Sequence, residues 1–86
     1  MSKPNKSTAQ RLIAALKTSL AQLIHEERGV DLIALLDHLE EHGIESALIK
    51  HSGNRTHAAA QLVMNRTSLL AKMRRFGVVS HRETMQ

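Results

Sequence analysis

The chain is 86 residues long with no cysteine and one aromatic residue, Phe76. The first absence excludes disulfides and thiolate metal sites, and the near-absence of aromatics leaves the chain without the base-stacking surfaces of single-strand and RNA binders. The net charge of +4 is unevenly placed: residues 1–49 carry five Lys/Arg and seven Asp/Glu, whereas residues 50–86 carry seven Lys/Arg against Glu83 alone. A basic half on a slightly acidic half suggests that one end meets a polyanion.

Residues 1–7 are polar, include the only proline, Pro4, and are expected to form a flexible arm. They are not backed by the apolar core of a secretory signal. No apolar run approaches the length of about 18 residues needed to cross a membrane, so no membrane partner is expected and the location is read as cytoplasmic. Ser7 and Gln10 make a capping-box pattern, opening a helix over residues 8–27. Leu12, Ile13, Leu16, Leu20, Leu23 and Ile24 recur there at helical spacing and give it one apolar stripe. Gly29 is the expected stop.

Asp31 is the expected N-cap of a second helix over residues 31–51. Leu32, Ile33, Leu35, Leu36 and Leu39 give its first half a broad apolar face. Gly43 falls on the same face as Leu36, Leu39 and Ala47. The helix is therefore expected to run through the glycine, which would let a partner helix approach closely. Two such helices span about 30 Å each. A chain of this size buries only about 60–65% of its unfolded surface, and with no disulfide its expected support is oligomerisation. The expected architecture is all-α with four helices, the first two (residues 8–51) intertwining with those of a second copy in a dimeric four-helix bundle. Leu16, Leu20, Leu23, Leu32, Leu36, Leu39 and Gly43 are the candidate homodimer interface.

Residues 52–79 read as a helix-turn-helix. Ser52-Gly53 closes the second helix, with glycine as the left-handed residue. The phrase Asn-Arg-Thr then occurs twice, at 54–56 and 65–67. Asparagine is a favoured N-cap, because its side-chain oxygen accepts a backbone N–H that the first helical turn leaves unpaired. Two such caps predict a third helix over 55–62, a turn at Val63-Met64 and a fourth helix over 66–76. Ala59 is the candidate small residue at the close approach of the two helices. Leu69, Met73 and Phe76 face inward, and Gly77 stops the fourth helix. Residues 80–86 are expected to be a frayed tail.

Ala47-Leu48, Gly53-Asn54, Thr56, Ala58-Ala59, Leu62, Asn65-Arg66, Leu69, Lys72 and Phe76-Gly77 resemble the Fis-type helix-turn-helix family. This module is found in the factor for inversion stimulation and at the C-terminus of sigma-54-dependent activators. The resemblance covers about residues 44–77, and residues 8–42 match in layout alone. It implies a homodimer whose paired recognition helices enter successive major grooves of double-stranded DNA and bend it. By matched position it implies DNA contacts from Asn54, Thr56, Asn65, Arg66, Ser68 and Lys72. Two departures stand out. Val63 occupies a turn position that is usually glycine, so the turn is expected to differ. Leu70 and Ala71 replace basic residues, which should alter affinity or preferred sequence.

The residues themselves support distinct roles. Arg66 opens the recognition helix, where a bidentate contact to guanine is available to it. Asn54 and Asn65 are caps first, and helix N-termini direct N–H groups at phosphates. Thr56 and Ser68 can donate to phosphate, and Lys72, Arg74 and Arg75 are phosphate candidates. His57 could add pH-dependent phosphate affinity. Thr67 and Ala71 face outward and would tune sequence preference weakly. His38 and His42 share a helix face, but the segment HLEEH lacks the glutamate that a zinc-protease helix places after its first histidine. No metal, cofactor or enzymatic site is expected. The reading is a DNA-binding transcriptional regulator or nucleoid-associated bending factor. Its alternative is a helical dimer that docks on RNA polymerase or another regulator and binds DNA weakly.

Overall fold

The computed structural model describes residues 5–79, and all four of its helices lie within them, with no strand among the described residues. The chain divides into two units, residues 1–31 and 32–86. Of the expected arm at residues 1–7, residues 1–4 lie outside the described residues, as does the tail at 80–86, whereas residues 5–7 are helical, contrary to that expectation.

The first unit is one helix, α1 (Asn5–Glu26). It begins three residues before the expected start, so Ser7 lies inside the helix and the capping-box expectation fails. Residues 5–10 contain nothing that interrupts a helix, which leaves no local reason to wait for Thr8. The helix ends at Glu26, and the Glu27 amide still donates to the Leu23 carbonyl at 2.9 Å. Gly29 does not adopt the left-handed backbone expected of a capping glycine. Leu12, Ile13, Leu16, Leu20 and Ile24 are all exposed, while Leu23 is half-buried.

The second unit contains α2 (Leu32–Lys50), α3 (Arg55–Gln61) and α4 (Arg66–Phe76). Helix α2 runs through Gly43 without a break, as its apolar rhythm predicts. Its two halves have different surroundings. Ile44, Ala47 and Leu48 are buried, whereas Leu32, Ile33, Leu36 and Leu39 are exposed. A Cβ placed on Gly43 would meet nothing within 4 Å, so the glycine is not needed for any close approach within one chain.

The core joins Ile44, Ala47 and Leu48 of α2 to Ala58 and Ala59 of α3 and Leu69 and Met73 of α4. Ile44 and Leu69 are its largest fully enclosed side chains. Ala58 and Ala59 are both buried, so the close packing of α3 rests on two alanines rather than Ala59 alone. Leu62, Met64, Leu70, Phe76 and Val78 close the margin of the core.

All three helices of this unit end in the same backbone device. At the end of α2 the Ser52 amide donates to Ile49 O at 3.2 Å and the Gly53 amide to Leu48 O at 2.8 Å. After α3, Val63 donates to Ala60 O at 3.2 Å and Met64 to Ala59 O at 3.0 Å. After α4, Gly77 donates to Arg74 O at 3.4 Å and Val78 to Met73 O at 2.9 Å. This paired pattern is the Schellman motif, and it places one left-handed residue just past each helix. Those residues are Ser52 (φ 53), Val63 (φ 55) and Gly77 (φ 72), with Gly53 also at φ 83. The expectation of a different turn at Val63 is thus incorrect. Valine adopts the conformation that suits glycine, because the two capping hydrogen bonds and the burial of Leu62 and Met64 on either side require it.

Candidate nucleic-acid interface

Each helix of the helix-turn-helix is opened by its asparagine. Asn54 Oδ1 accepts the His57 amide at 3.0 Å, and Asn65 Oδ1 accepts the Ser68 amide at 2.7 Å. Both caps are in extended backbone, the geometry that lets a side chain turn back onto the first helical turn. The amide of Ser68 is therefore satisfied within the chain, although its hydroxyl is not engaged in that bond. Thr56 and His57 are exposed at the start of α3. The His57 ring lies 6.0 Å from that of His51 in an edge-on arrangement, and His51 Nε2 is 2.7 Å from Gln61 Oε1. This small polar cluster joins the end of α2 to α3.

Helix α4 has three sides. Leu69, Met73 and Phe76 face the core, with Phe76 only half-buried. Thr67, Ala71 and Arg74 are exposed and recur at i, i+4 and i+7, so they form one outward stripe, with exposed Arg66 at its start. Among the described residues neither Arg66 nor Arg74 makes an ion pair. Leu70 is half-buried and packs against the core, so it lies at the margin of the stripe rather than on it.

The third side faces α2. Lys72 Nζ is 2.7 Å from Glu40 Oε2. Arg75 Nη2 donates to both carboxylate oxygens of Asp37, at 3.0 and 2.9 Å. The same guanidinium lies 5.1 Å from the centre of the Phe76 ring. Four cationic side chains of α4 thus divide into two that are turned outward and two that are paired with acids of α2. No local sequence pattern signals this division. Asp37 lies 38 residues from Arg75, and only the packing of α2 on α4 brings them together.

Among the described residues there is no group of three or more His, Cys, Asp or Glu placed to hold a metal ion, and no helix is long and apolar enough to cross a membrane.

Residues 35–76 match the family model described as bacterial regulatory protein, Fis family. This segment is a Fis-type helix-turn-helix domain. It is the type of domain that DNA-binding regulators carry, not an enzymatic one. No curated protein and no solved structure gave a significant match to the chain. The Fis-type domain takes in nearly all of α2 and the whole of α3 and α4, so its bounds coincide with the packed core. Helix α1 lies outside it.

Proposed function

We propose that the protein is a homodimeric regulator that binds double-stranded DNA with sequence preference, with α4 in the major groove. The observation that carries this reading is the Fis-type domain at residues 35–76 together with an outward α4 stripe bearing Arg66, Thr67 and Arg74. Arg66 stands where a recognition helix meets base edges, and a bidentate arginine–guanine contact is worth about 1–3 kcal/mol of discrimination. Arg74, Thr56, His57 and Ser68 are suited to phosphates through their side chains. Residues 52–79 form the DNA-binding part and residues 8–51 the dimerisation part, within one regulator acting in the cytoplasm on the nucleoid.

The apolar side chains of α1 and of the first half of α2 support the homodimer. Leu16, Leu20, Leu32, Leu36 and Leu39 are between 37% and 52% exposed in the single chain. Such apolar stripes at helical spacing suit burial against a second copy. Open space beside Gly43 would admit a helix there.

Selection of bound sequences from a random duplex pool tests this function. A recurring site containing a guanine in each half is expected, two half-sites lying one helical turn apart. Arg66→Ala should then weaken the selected site by more than it weakens random DNA. Equal losses would make Arg66 a phosphate clamp. Failure to enrich any sequence, alongside retention on a protein partner such as RNA polymerase, would favour a protein-interaction module.

A further inference from the structure

We infer that Asp37 and Glu40 are positioning residues for the recognition helix, and that Lys72 and Arg75 serve this frame rather than the DNA phosphates. The inference rests on α4 being the DNA-reading helix. It departs from the role that matched position alone suggests for Lys72.

The two acids are three residues apart on α2, and the two cations are three apart on α4. Residues at that spacing share a helix face. The contacts at 2.7 Å for Lys72–Glu40 and at 2.9 and 3.0 Å for Arg75–Asp37 therefore form two successive rungs between the same helices. The side chains of Lys72 and Glu40 are each only 33% exposed. Lys72 is also one turn from Leu69 and Phe76, which lie on the core side of α4. Arg75 is held both by the Asp37 carboxylate, whose two oxygens accept from one guanidinium nitrogen, and by the face of Phe76.

Electrostatics gives the same assignment. A Lys–Glu or Arg–Asp pair in contact presents no net charge to a phosphate. Moving either cation to DNA would leave a carboxylate unpaired beside a polyanion, where like charges repel. Arg66 and Arg74 carry no such burden. The frame fixes the rotation of α4 about its axis, so that Thr67, Ala71 and Arg74 stay outward. The basic groups that meet DNA are then fewer than the composition of α4 suggests.

The test is a charge-neutral deletion and a charge swap, each read with and without DNA. Without DNA, Lys72→Glu should lower the melting temperature by placing a second carboxylate beside Glu40. The double variant Glu40→Lys/Lys72→Glu should restore it. With DNA, Lys72→Glu should lose at least about tenfold in affinity, and the swap should recover most of that loss. The variant Glu40→Gln/Lys72→Gln should keep the wild-type slope of log affinity against log salt. Arg74→Ala should reduce that slope by about 0.9 per protomer.

A slope reduced equally by Glu40→Gln/Lys72→Gln, or a swap that binds no better than Lys72→Glu, would overturn the assignment and make Lys72 a phosphate ligand. Failure of the swap to restore the melting temperature would remove the frame itself. If the wild type binds no duplex while the swap still restores melting, the DNA reading has failed and the α2–α4 frame stands.

Discussion

Val63 holds a backbone conformation that its own side chain opposes. Its φ is 55°, and the left-handed region costs an L-residue about 1–2 kcal/mol, with β-branched residues among the least tolerant. The side chain is 90% exposed, so replacing it forfeits almost no burial. Glycine relieves the strain but brings extra freedom to the unfolded chain, an opposing effect of about 0.4–1 kcal/mol. Taking the middle of each range, the net for Val63→Gly is a stabilisation of about 0.8 kcal/mol. For a domain of this size that corresponds to a rise of about 3–6 °C in melting temperature, measured by circular dichroism at fixed protein concentration. The reciprocal change is Gly77→Val. At Gly77, φ is 72° and a Cβ would meet nothing within 4 Å, so the penalty is confined to the backbone. It should lower the melting temperature by a comparable amount. An unchanged or lower melting temperature for Val63→Gly would show that the valine is not strained and that the capping argument is mistaken.

Two further predictions concern folding and assembly. Asn54→Ala and Asn65→Ala each remove a side-chain acceptor from a helix start and should cost about 1 kcal/mol by denaturant titration, whereas the corresponding glycine variants should cost only a few tenths. Leu36→Asp places a charge on the exposed apolar face of α2, 52% exposed in one chain. If that face is the core of a dimer, sedimentation and circular dichroism should show loss of assembly and loss of helix together. A helical, fully folded monomer would contradict the dimer.

How much of this could be read from the sequence varies by feature. The bounds of α4 followed directly from an asparagine cap at 65 and a glycine at 77, because both signals are local and each has one physical cause. The inward set Leu69, Met73 and Phe76 followed from helical period. Helix α1 was harder, since a plausible cap at Ser7 competed with residues upstream that are equally able to be helical. The turn at Val63 departs from expectation for a different reason. Residue propensity argues against a left-handed valine, but two hydrogen bonds and the anchoring of Leu62 and Met64 outweigh it. At the candidate site, the outward position of Thr67 and Ala71 was legible in the sequence. The pairing of Lys72 with Glu40 and Arg75 with Asp37 was not, because it depends on which faces of two distant helices meet.

That pairing changes what the basic C-terminal half implies. Seven Lys/Arg against Glu83 suggested a broad cationic surface. Two of those charges are matched by acids from the other half of the chain. On the proposed reading, DNA affinity rests on fewer side chains, placed at the start and along the outward stripe of α4. Sequence preference gains weight relative to bulk charge in such an arrangement.

The most direct test of the central claim is the dependence of duplex affinity on salt, measured by gel shift or fluorescence anisotropy with a selected site. Log affinity should fall linearly with log salt, with a slope corresponding to a handful of neutralised phosphates, about 0.9 per contact. The selected site should bind more tightly than random duplex at every salt concentration. No detectable binding to any duplex at about 50 mM salt, where phosphate contacts are only weakly screened, would contradict DNA binding as the function.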